Sequence, residues 1–399
     1  MPPVNPERLL ADVRECSEIG RFKTGVHRPT YSPEDQRARA WLVARMEAAG
    51  LQAEIDGIGN VIGRGSGSGK RMLIGSHIES QPEAGRLDGA MGVLYGIEVA
   101  RAGLPVDVAA WADEEGYFGH FLGSRSFIAE VTEQEIDKSV HRDNGTPLRA
   151  ALIKAGYAGR PRATVEPGRY VGYAEAHVEQ GDYLDMAGMR IGVVTGIIGS
   201  WLYRIVAEGV QNHAGTTRMA IRKDAGLALA KLCVAIDQRF PQVIGERSVW
   251  TTGRMIFEPG APAVIPGRGE MTFGFRDVEL TTLERLDATL RQLIDDYNRQ
   301  GPCRLTVERT AQSFPALMNK FFQDALEKAA ATHAPGSHMR MPSAAGHDAQ
   351  ILARKMPSAM LFVPSIKGIS HHWAEDTADQ DIALGVQVFA DGIERILAG

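Results

Sequence analysis

The chain has 399 residues, of which 44% are hydrophobic and 23% are charged, and its formal net charge is −5. This composition is typical of a soluble globular protein with more than one domain. The lack of a basic excess argues against nucleic acid as a partner, and no apolar run is long enough for a membrane span. The N-terminal residues lack the layout of a signal peptide, and three scattered cysteines indicate reduced thiols, so we expect a cytoplasmic protein.

Signals for helices and buried strands alternate over the first part of the chain, which predicts an α/β layer architecture. In the first predicted helix, Ser32 or Asp35 could cap the start and Gly50 could mark the end. Two apolar runs further along have the length and hydrophobicity of buried strands. The predicted elements are helices at 33–50 and 91–102 and strands at 51–62, 72–75 and 106–111.

The middle of the chain has a different pattern, in which strands with one polar face alternate with helices. This strand–helix–strand–helix–strand run predicts a small α+β sandwich inserted into the larger domain. We therefore expect a discontinuous larger domain at 1–200 and 315–399, with an inserted domain at 201–314. Strands are predicted at 201–209, 270–278, 304–310 and 359–363, and helices at 220–239, 283–297, 319–332 and 382–397.

Five groups of acidic or histidine side chains follow apolar runs and are bounded by small or turn-forming residues. In α/β sheets, functional sites collect beyond the carboxyl ends of the strands, so these groups could meet there. Imidazoles together with carboxylates suit zinc, manganese, nickel or cobalt. The groups are His77, Asp88, Glu114 with Glu115, His177 and His371.

Two details of these groups indicate a site for two metal ions. Gly89 leaves room beside Asp88, whose carboxylate could bridge two ions that share a water molecule. In the adjacent acidic pair, one of Glu114 and Glu115 could bind metal while the other accepts the proton from that water. Taken singly, each group has an ordinary alternative, because a histidine after a strand often has a structural role and an acidic pair often begins a helix. No spacing matches a short zinc motif such as HExxH.

Eight segments in a fixed order carry a more specific signal than any single group. They are GSHIESQPEAGRLDGAMGV, WADEEGYF, AHVEQG, GVVTGIIG, NHAGTTRM with RKDA, VIPGRGEM, PSAAGHDA and FVPSIKGISH. Together they resemble the M20-type metallo-amidohydrolases, in the hydantoinase/carbamoylase branch. That branch includes N-carbamoyl-L-amino acid hydrolases, β-ureidopropionase-like enzymes and allantoate amidohydrolases. The resemblance runs from about Gly25 to the C-terminus.

The resemblance implies a role for each matching residue. Glu114 would act as general base and then as the acid for the leaving ammonia, and His213 would polarise the scissile carbonyl. Arg276 would pair with the substrate carboxylate through the N–H donors of its guanidinium, whose geometry suits a bidentate contact. Two divalent ions would be held by His77, Asp88, Glu115, His177 and His371, with Asp88 as the bridge. The remaining substrate-binding residues would be Gln180, Gly346 and His347.

The same resemblance implies an α/β/α catalytic domain with an inserted βαββαβ-like lid that also forms a homodimer. In that arrangement His213 would reach across the dimer interface into the partner's site, and lid closure would bring it and Arg276 onto the substrate. Ordinary alternatives remain for three of these residues. Arg276 could form a surface ion pair, His213 could belong to a turn, and His347 could be structural.

The chain departs from the branch pattern at five positions, mostly in the pocket. Two of them are Arg218, where Pro is usual in NHAGTTPM, and Ala344, where Gly is usual in SGAGHD. Ala263 stands where Asn usually precedes the VIPGR segment, and Tyr117 stands where Arg is usual in DEEGxRF. The acid of the usual HxD segment is Glu79, whose longer arm we expect to orient His77. The loss of Asn and the gain of a methyl group and a phenol predict a less polar or bulkier side of the substrate.

The sequence thus predicts an enzyme, a binuclear-metal amidohydrolase that cleaves a linear C–N bond in a small carboxylate-bearing substrate. The favoured substrate is an N-carbamoyl-L-amino acid. Two rival substrates are allantoate and an ordinary amide, such as an N-acyl amino acid or a dipeptide. A rival of another class is a metal-binding or ligand-binding protein that has lost catalysis, against which the intact Glu114 argues. Histidine and carboxylate ligands accept several metals, so the metal is left open.

Overall fold

The computed structural model describes residues 3–399, which form two compact units. The larger unit extends to Ile197 and resumes at Leu317, and the smaller unit comprises Ile198–Ala316. The smaller unit is therefore an insertion in the chain of the larger one. No helix of the described residues is long and apolar enough to cross a lipid bilayer.

Twelve α-helices and seventeen strands make up the described chain. The helices are α1 (Pro6–Glu18), α2 (Pro33–Ala48), α3 (Ala90–Arg101), α4 (Leu122–Phe127), α5 (Glu133–Lys138), α6 (Leu148–Ala155), α7 (Tyr183–Ala187), α8 (Ala225–Arg239), α9 (Leu280–Gln300), α10 (Lys320–His333), α11 (Asp348–Leu352) and α12 (Asp379–Ala398). The strands are β1 (Arg21–Phe22), β2 (Gly25–Val26), β3 (Gln52–Ile55), β4 (Val61–Arg64), β5 (Arg71–His77), β6 (Val106–Trp111), β7 (Tyr170–Val178), β8 (Ile191–Ile197), β9 (Gly199–Glu208), β10 (Asn212–His213), β11 (Val249–Glu258), β12 (Val264–Ile265), β13 (Arg268–Asp277), β14 (Arg304–Ser313), β15 (Ala316–Leu317), β16 (His338–Ser343) and β17 (Ser358–Val363).

Nine strands form one mixed sheet in the order β15-β8-β17-β7-β5-β6-β4-β3, with β16 beside β8. Four adjacent strands, β17, β7, β5 and β6, run parallel to one another. Their carboxyl ends therefore lie along one edge of the sheet, which is where open α/β sheets place their sites.

The central strands are enclosed by helices, as is usual for parallel strands. All residues of β5 and β6 are buried. Ile74 and Val108 from these strands belong to one apolar cluster with Val93 of α3, Leu326 of α10 and Phe389 of α12. This packing fixes the positions at which β5 and β6 end.

The predicted α/β class with an inserted α+β sandwich is confirmed, with small shifts at the ends of most elements. Ser32 caps α2 by accepting the main-chain N–H of Asp35. The single strand predicted at 51–62 is instead the hairpin of β3 and β4. Strand β7 was not predicted because two buried polar residues, Glu175 and His177, interrupt its apolar pattern. Helix α1 and strands β8 and β16 were also not predicted.

The smaller unit is a four-stranded antiparallel sheet in the order β11-β13-β9-β14, against which α8 and α9 pack. Strand β9 alternates between buried and more exposed residues, and its buried side joins both helices in one apolar cluster. Strand β11 was not predicted because it is an edge strand with no buried residue, so it lacks that apolar alternation. With β11 the unit has the βαββαβ order implied by the resemblance.

Candidate metal centre

Asp88 lies at the centre of a group of imidazoles and carboxylates. It comes just before α3, and only 2% of its surface is exposed. Its Oδ1 atom is 3.1 Å from His177 Nε2 and 3.4 Å from His77 Nε2. Its Oδ2 atom is 3.4 Å from His371 Nε2. One oxygen of the Asp88 carboxylate therefore faces the Nε2 atoms of His77 and His177, and the other faces that of His371.

Of the two glutamates that follow β6, one lies near His77 and the other near His371. Glu114 Oε2 is 3.7 Å from His77 Nε2, whereas Glu115 Oε2 is 3.8 Å from His371 Nε2. The ends of β5, β6 and β7 and the loop after β17 thus supply side chains to one site. Among the described residues, candidate ligand atoms lie within 4.8 Å of one another in the groups His77–Asp88–His177, His77–Glu114–Glu115 and Asp88–Glu115–His371.

The turn after β6 is held in an unusual backbone conformation. Asp113 has φ +58°, a left-handed value that non-glycine residues seldom adopt. Its carboxylate accepts the main-chain N–H groups of residues 117–119 and the hydroxyl of Thr30. Burial raises the pKa of this carboxyl to about 7. These hydrogen bonds fix the turn that carries Glu114 and Glu115.

The main chain also fixes two of the imidazoles. His77 Nδ1 lies 3.0 Å from the carbonyl oxygen of Glu79, and His177 Nδ1 lies 2.8 Å from that of Val178. A carbonyl oxygen only accepts hydrogen bonds, so each Nδ1 carries a proton and donates it. In the neutral ring the Nε2 lone pair then faces Asp88, and this is the tautomer that a metal ligand requires.

The site concentrates negative charge in a buried position. Burial lowers the pKa of His77, but the charges of Glu114 and Asp88 outweigh this effect and leave that pKa well above its ordinary value. Burial raises the pKa of Asp88, but hydrogen bonds with His177 and His77 outweigh it and leave that pKa well below its ordinary value. Burial, opposed by His77 and reinforced by Glu115, leaves the pKa of Glu114 well above its usual range. Protons or a multivalent cation must therefore balance the carboxylates.

These residues fit divalent metal ions. Imidazole nitrogens and carboxylate oxygens are ligands of zinc and are accepted by manganese, cobalt and nickel. The Oδ1 atom of Asp88 could serve one ion together with His77 and His177, and its Oδ2 atom a second ion together with Glu115 and His371. The structure thus brings together all five predicted ligands, while the metal itself stays a prediction.

The predicted substrate-binding residues of the larger unit lie at different depths. Gln180 donates a hydrogen bond to Asp88 Oδ2 at 3.1 Å, so it lies beside the proposed ligands. His347 is 1% exposed, and its ring packs on that of His177 with 4.5 Å between centroids. Gly346, next to it, is exposed. His347 therefore supports a proposed ligand, and its predicted contact with substrate stays a prediction.

His213 belongs to the smaller unit, where β10 pairs with β12. Its ring is exposed, and its Nδ1 accepts the main-chain N–H groups of Gly215 and Thr216 at 2.9 and 3.2 Å. Because Nδ1 is the acceptor, Nε2 carries the proton in the neutral ring. His213 can therefore donate a hydrogen bond through Nε2, which is the opposite arrangement to that of His77 and His177.

Two other positions singled out from the sequence also lie in the smaller unit. Arg276 is exposed on β13, and within residues 3–399 no carboxylate pairs with its guanidinium, so the described residues supply no partner for the surface ion-pair alternative. The carbonyl oxygen of Ala263 accepts the N–H of Ala214. The departure at 263 therefore lies next to the predicted carbonyl-polarising histidine, His213.

Glu79, the acid of the HxD segment, has different contacts from those expected. The carbonyl oxygen of Glu79, not its carboxylate, forms the hydrogen bond to His77. The carboxylate accepts the N–H of Glu114 at 2.7 Å and pairs with Arg39 Nη2 at 2.8 Å. Arg39 is fully buried and also pairs with Asp35. The prediction that this carboxylate orients His77 is wrong, because the buried guanidinium and the Glu114 main chain occupy its oxygens.

Tyr117 does not have the pocket role that its position suggested. It is 1% exposed, and its hydroxyl donates to the carbonyl oxygen of Ser80 at 2.9 Å. The guanidinium of Arg142 lies 4.2 Å from the ring centroid and donates to the carbonyl oxygen of Glu115 and to Gln81. Gln81 in turn donates to Glu115 Oε2 at 2.8 Å. Arg142 and Gln81 thus hold a proposed ligand, and no local sequence pattern shows this contact.

Comparison with known proteins identifies the family. The sequence profile of Peptidase family M20/M25/M40 matches residues 73–395. The chain belongs to this family. It is 32% identical to an N-carbamoyl-L-amino acid amidohydrolase of Geobacillus stearothermophilus, in a match that covers 99% of this chain and 100% of the relative. It is also 32% identical to an allantoate amidohydrolase of Escherichia coli, with 92% of each chain covered.

A solved structure agrees with these relatives. An amidase of the hydantoinase/carbamoylase family from Burkholderia phymatum superposes on this M20-family chain with a TM-score of 0.93 and 42% identity, covering 100% of this chain and 99% of the other. The predicted resemblance to this branch is confirmed. The chain is a hydrolase that acts on C–N bonds other than peptide bonds.

Proposed function

We propose that this M20-family chain hydrolyses N-carbamoyl-L-amino acids, releasing the amino acid, ammonia and carbon dioxide. The observation that carries the proposal is the position of Glu114 Oε2, 3.7 Å from His77 Nε2 beside the ligand set centred on Asp88. A carboxylate in that position can accept and donate protons at the reacting carbonyl. The carbamoyl substrate is supported by relatives of that name that match this chain over nearly its whole length.

The proposed cofactors are two divalent ions, either zinc or one of manganese, cobalt and nickel. They would be held by His77, Asp88, Glu115, His177 and His371, with Asp88 shared between them. Such ions supply Lewis acidity at the scissile carbonyl and lower the pKa of a water molecule toward neutrality.

The protein's own groups would move the proton and bind the substrate. The Glu114 carboxylate takes a proton from the attacking water and passes it to the leaving nitrogen. His213 donates a hydrogen bond from Nε2 to the carbonyl oxygen, where negative charge develops. Arg276 pairs with the substrate carboxylate, since its guanidinium has no carboxylate partner among the described residues. Gln180, bonded to Asp88, is placed to contact the ureido group.

Two other substrates have specific support. Relatives named allantoate amidohydrolase are 30–32% identical to this chain, so allantoate is the second candidate. An ordinary amide is the third, because Ala263 removes a polar side chain beside His213. The buried phenol of Tyr117 no longer supports a bulkier substrate.

We also propose that the chain is a homodimer formed through the smaller unit and that it functions in the cytoplasm. The dimer would place His213 of one copy in the site of the other, as the branch resemblance implies. The three cysteines are free thiols, which agrees with a reducing compartment.

The proposed function is tested with a panel of substrates. Purified protein is stripped of metal and reloaded with zinc, manganese, cobalt or nickel. N-carbamoyl and N-acyl derivatives of the same small and aromatic amino acids are offered, with allantoate included, and both ammonia and free amine are measured. Ammonia with free amine from the carbamoyl set is the expected result. Free amine from the acyl set alone would contradict the proposal and favour an ordinary amidase.

A further inference from the structure

A buried carboxylate outside the predicted ligand set joins the two loops that carry Asp88 and His371. Glu375 is 1% exposed. Its Oε1 accepts the N–H of Asp88 at 3.2 Å, and its Oε2 accepts the hydroxyl of Ser370 at 3.0 Å. Its own N–H donates to the carbonyl oxygen of His372 at 2.9 Å. One side chain thus contacts the main chain of one proposed ligand and the residue next to another.

His371 needs support of this kind. Its side chain is 51% exposed, so packing alone holds it weakly. Its backbone has φ +52°, in the left-handed region, which is strained for a non-glycine residue. Such a conformation persists only where neighbouring contacts fix it. The hydrogen bond from Ser370 to Glu375, together with the bond between the main chains of Glu375 and His372, closes the loop around His371.

The space beside Glu375 is already adapted to its carboxylate. A Cβ atom on Gly85 would lie 2.0 Å from Glu375 Oε1, so only glycine allows the carboxylate to approach the Asp88 loop. The next residue has different partners: Asp376 pairs with Arg86 at 2.7 Å and is 51% exposed. The two adjacent acids therefore offer a test and a matched control.

We propose that Glu375 is a positioning residue, which holds His371 and Asp88 in the arrangement needed for metal binding. The inference rests on the proposed metal-dependent function and adds a residue outside the ligand set. The proposed role depends on the two hydrogen bonds. A glutamine could keep both, because its Oε1 can accept the Asp88 N–H and its Nε2 can donate to the Ser370 hydroxyl. An alanine keeps neither.

The test measures metal binding without turnover. Full-length wild-type protein and the variants E375A, E375Q, S370A and D376A are stripped of metal and titrated with cobalt, whose visible absorption reports binding. We expect E375A to bind one cobalt ion about 10–100-fold more weakly, the usual effect of losing a group that orients a ligand. E375Q and D376A should bind cobalt as tightly as the wild type. The cobalt affinity of S370A should lie between those of the wild type and E375A. Normal cobalt binding without hydrolysis of any carbamoyl substrate would refute the proposed function and leave this inference standing.

Three outcomes would overturn the inference. One is equal cobalt affinity in E375A and the wild type. Another is an equal loss in E375A and D376A, which would mean that any change in this loop has the same effect. The third is a loss in E375Q as large as in E375A. If circular dichroism shows that E375A does not fold, S370A decides, and unchanged cobalt affinity in S370A would then overturn the inference.

Discussion

The carboxylate of Glu79 accepts the main-chain N–H of Glu114 at 2.7 Å, which links the ends of β5 and β6. The same carboxylate pairs with buried Arg39, while the carbonyl oxygen of Glu79 accepts the Nδ1 proton of His77. One residue therefore positions both a proposed metal ligand and the proposed base. Arg39, on α2, anchors this residue from outside the sheet.

We expect R39M to be strongly destabilising. Arg39, Asp35 and Glu79 are all 0% exposed, so the substitution leaves two buried carboxylates without their cation. Removing one partner of a buried ion pair costs about 3–5 kcal/mol. Urea unfolding of the metal-free protein measures this loss. The control is R37A on the same helix, whose 64% exposed guanidinium pairs with Glu34 and should contribute less than about 1 kcal/mol. Equal losses in both variants would contradict the prediction.

For Tyr117 we expect Y117F to lower stability and leave catalysis almost unchanged. The substitution deprives the Ser80 carbonyl oxygen of its hydrogen-bond donor, at a cost of about 1–3 kcal/mol. Thermal unfolding measures the stability, and initial rates measure KM and kcat. A large change in KM at unchanged stability would show instead that the phenol contacts substrate.

The tautomer of His213 predicts that H213A loses catalysis while keeping its metal. Removing one donor from a developing oxyanion costs about 10²–10³ in kcat. Elemental analysis should find the metal content of the wild type, because His213 belongs to the smaller unit and is not among the proposed ligands. A loss of bound metal would contradict the assignment.

The proposed dimer adds a second test of His213. If the histidine serves the partner's site, a mixture of H213A and E114Q subunits should regain activity that neither variant has alone, since some sites then combine both intact residues. The mixture is made by refolding or coexpression and followed by ammonia release. A mixture as inactive as its parts, with dimers present by light scattering, would place His213 in the site of its own chain.

Substitution of Arg276 should act on substrate affinity. R276A removes a charged hydrogen-bonding group worth about 1.5–3 kcal/mol, so KM for a carboxylate-bearing substrate should rise roughly 10–100-fold. The control is R204A, on the adjacent strand β9, whose guanidinium is already paired with Glu308. R204A should leave KM unchanged. A similar rise in both variants would indicate a general effect of charge on this sheet.

The five proposed ligands could be predicted from the sequence because they occur in recognisable segments at strand ends. The contacts that position them could not. Gln81 and Arg142 donate hydrogen bonds to Glu115 from separate loops. Arg39 donates to Glu79 from α2, which precedes the strands of the mixed sheet in the chain. Such contacts depend on tertiary packing, and no local pattern encodes them.

Two errors have a common physical origin. The Glu79 carboxylate and the Tyr117 hydroxyl were assigned to the site because they stand at positions of the branch pattern that the resemblance associates with it. Each is instead engaged by a buried partner, Arg39 in one case and the Ser80 carbonyl oxygen in the other. Buried polar groups must be hydrogen-bonded, and their partners are set by the fold.

The most direct test of the account measures ammonia release and bound metal together in the wild type, E114Q and E115Q, with an N-carbamoyl-L-amino acid as substrate. If Glu114 handles protons and Glu115 binds metal, E114Q should keep its metal and lose about 10²–10⁴ in kcat. E115Q should lose both metal and activity. Ammonia release by E114Q at the wild-type rate would contradict the central claim that this carboxylate, beside the Asp88 ligand set, carries the reaction.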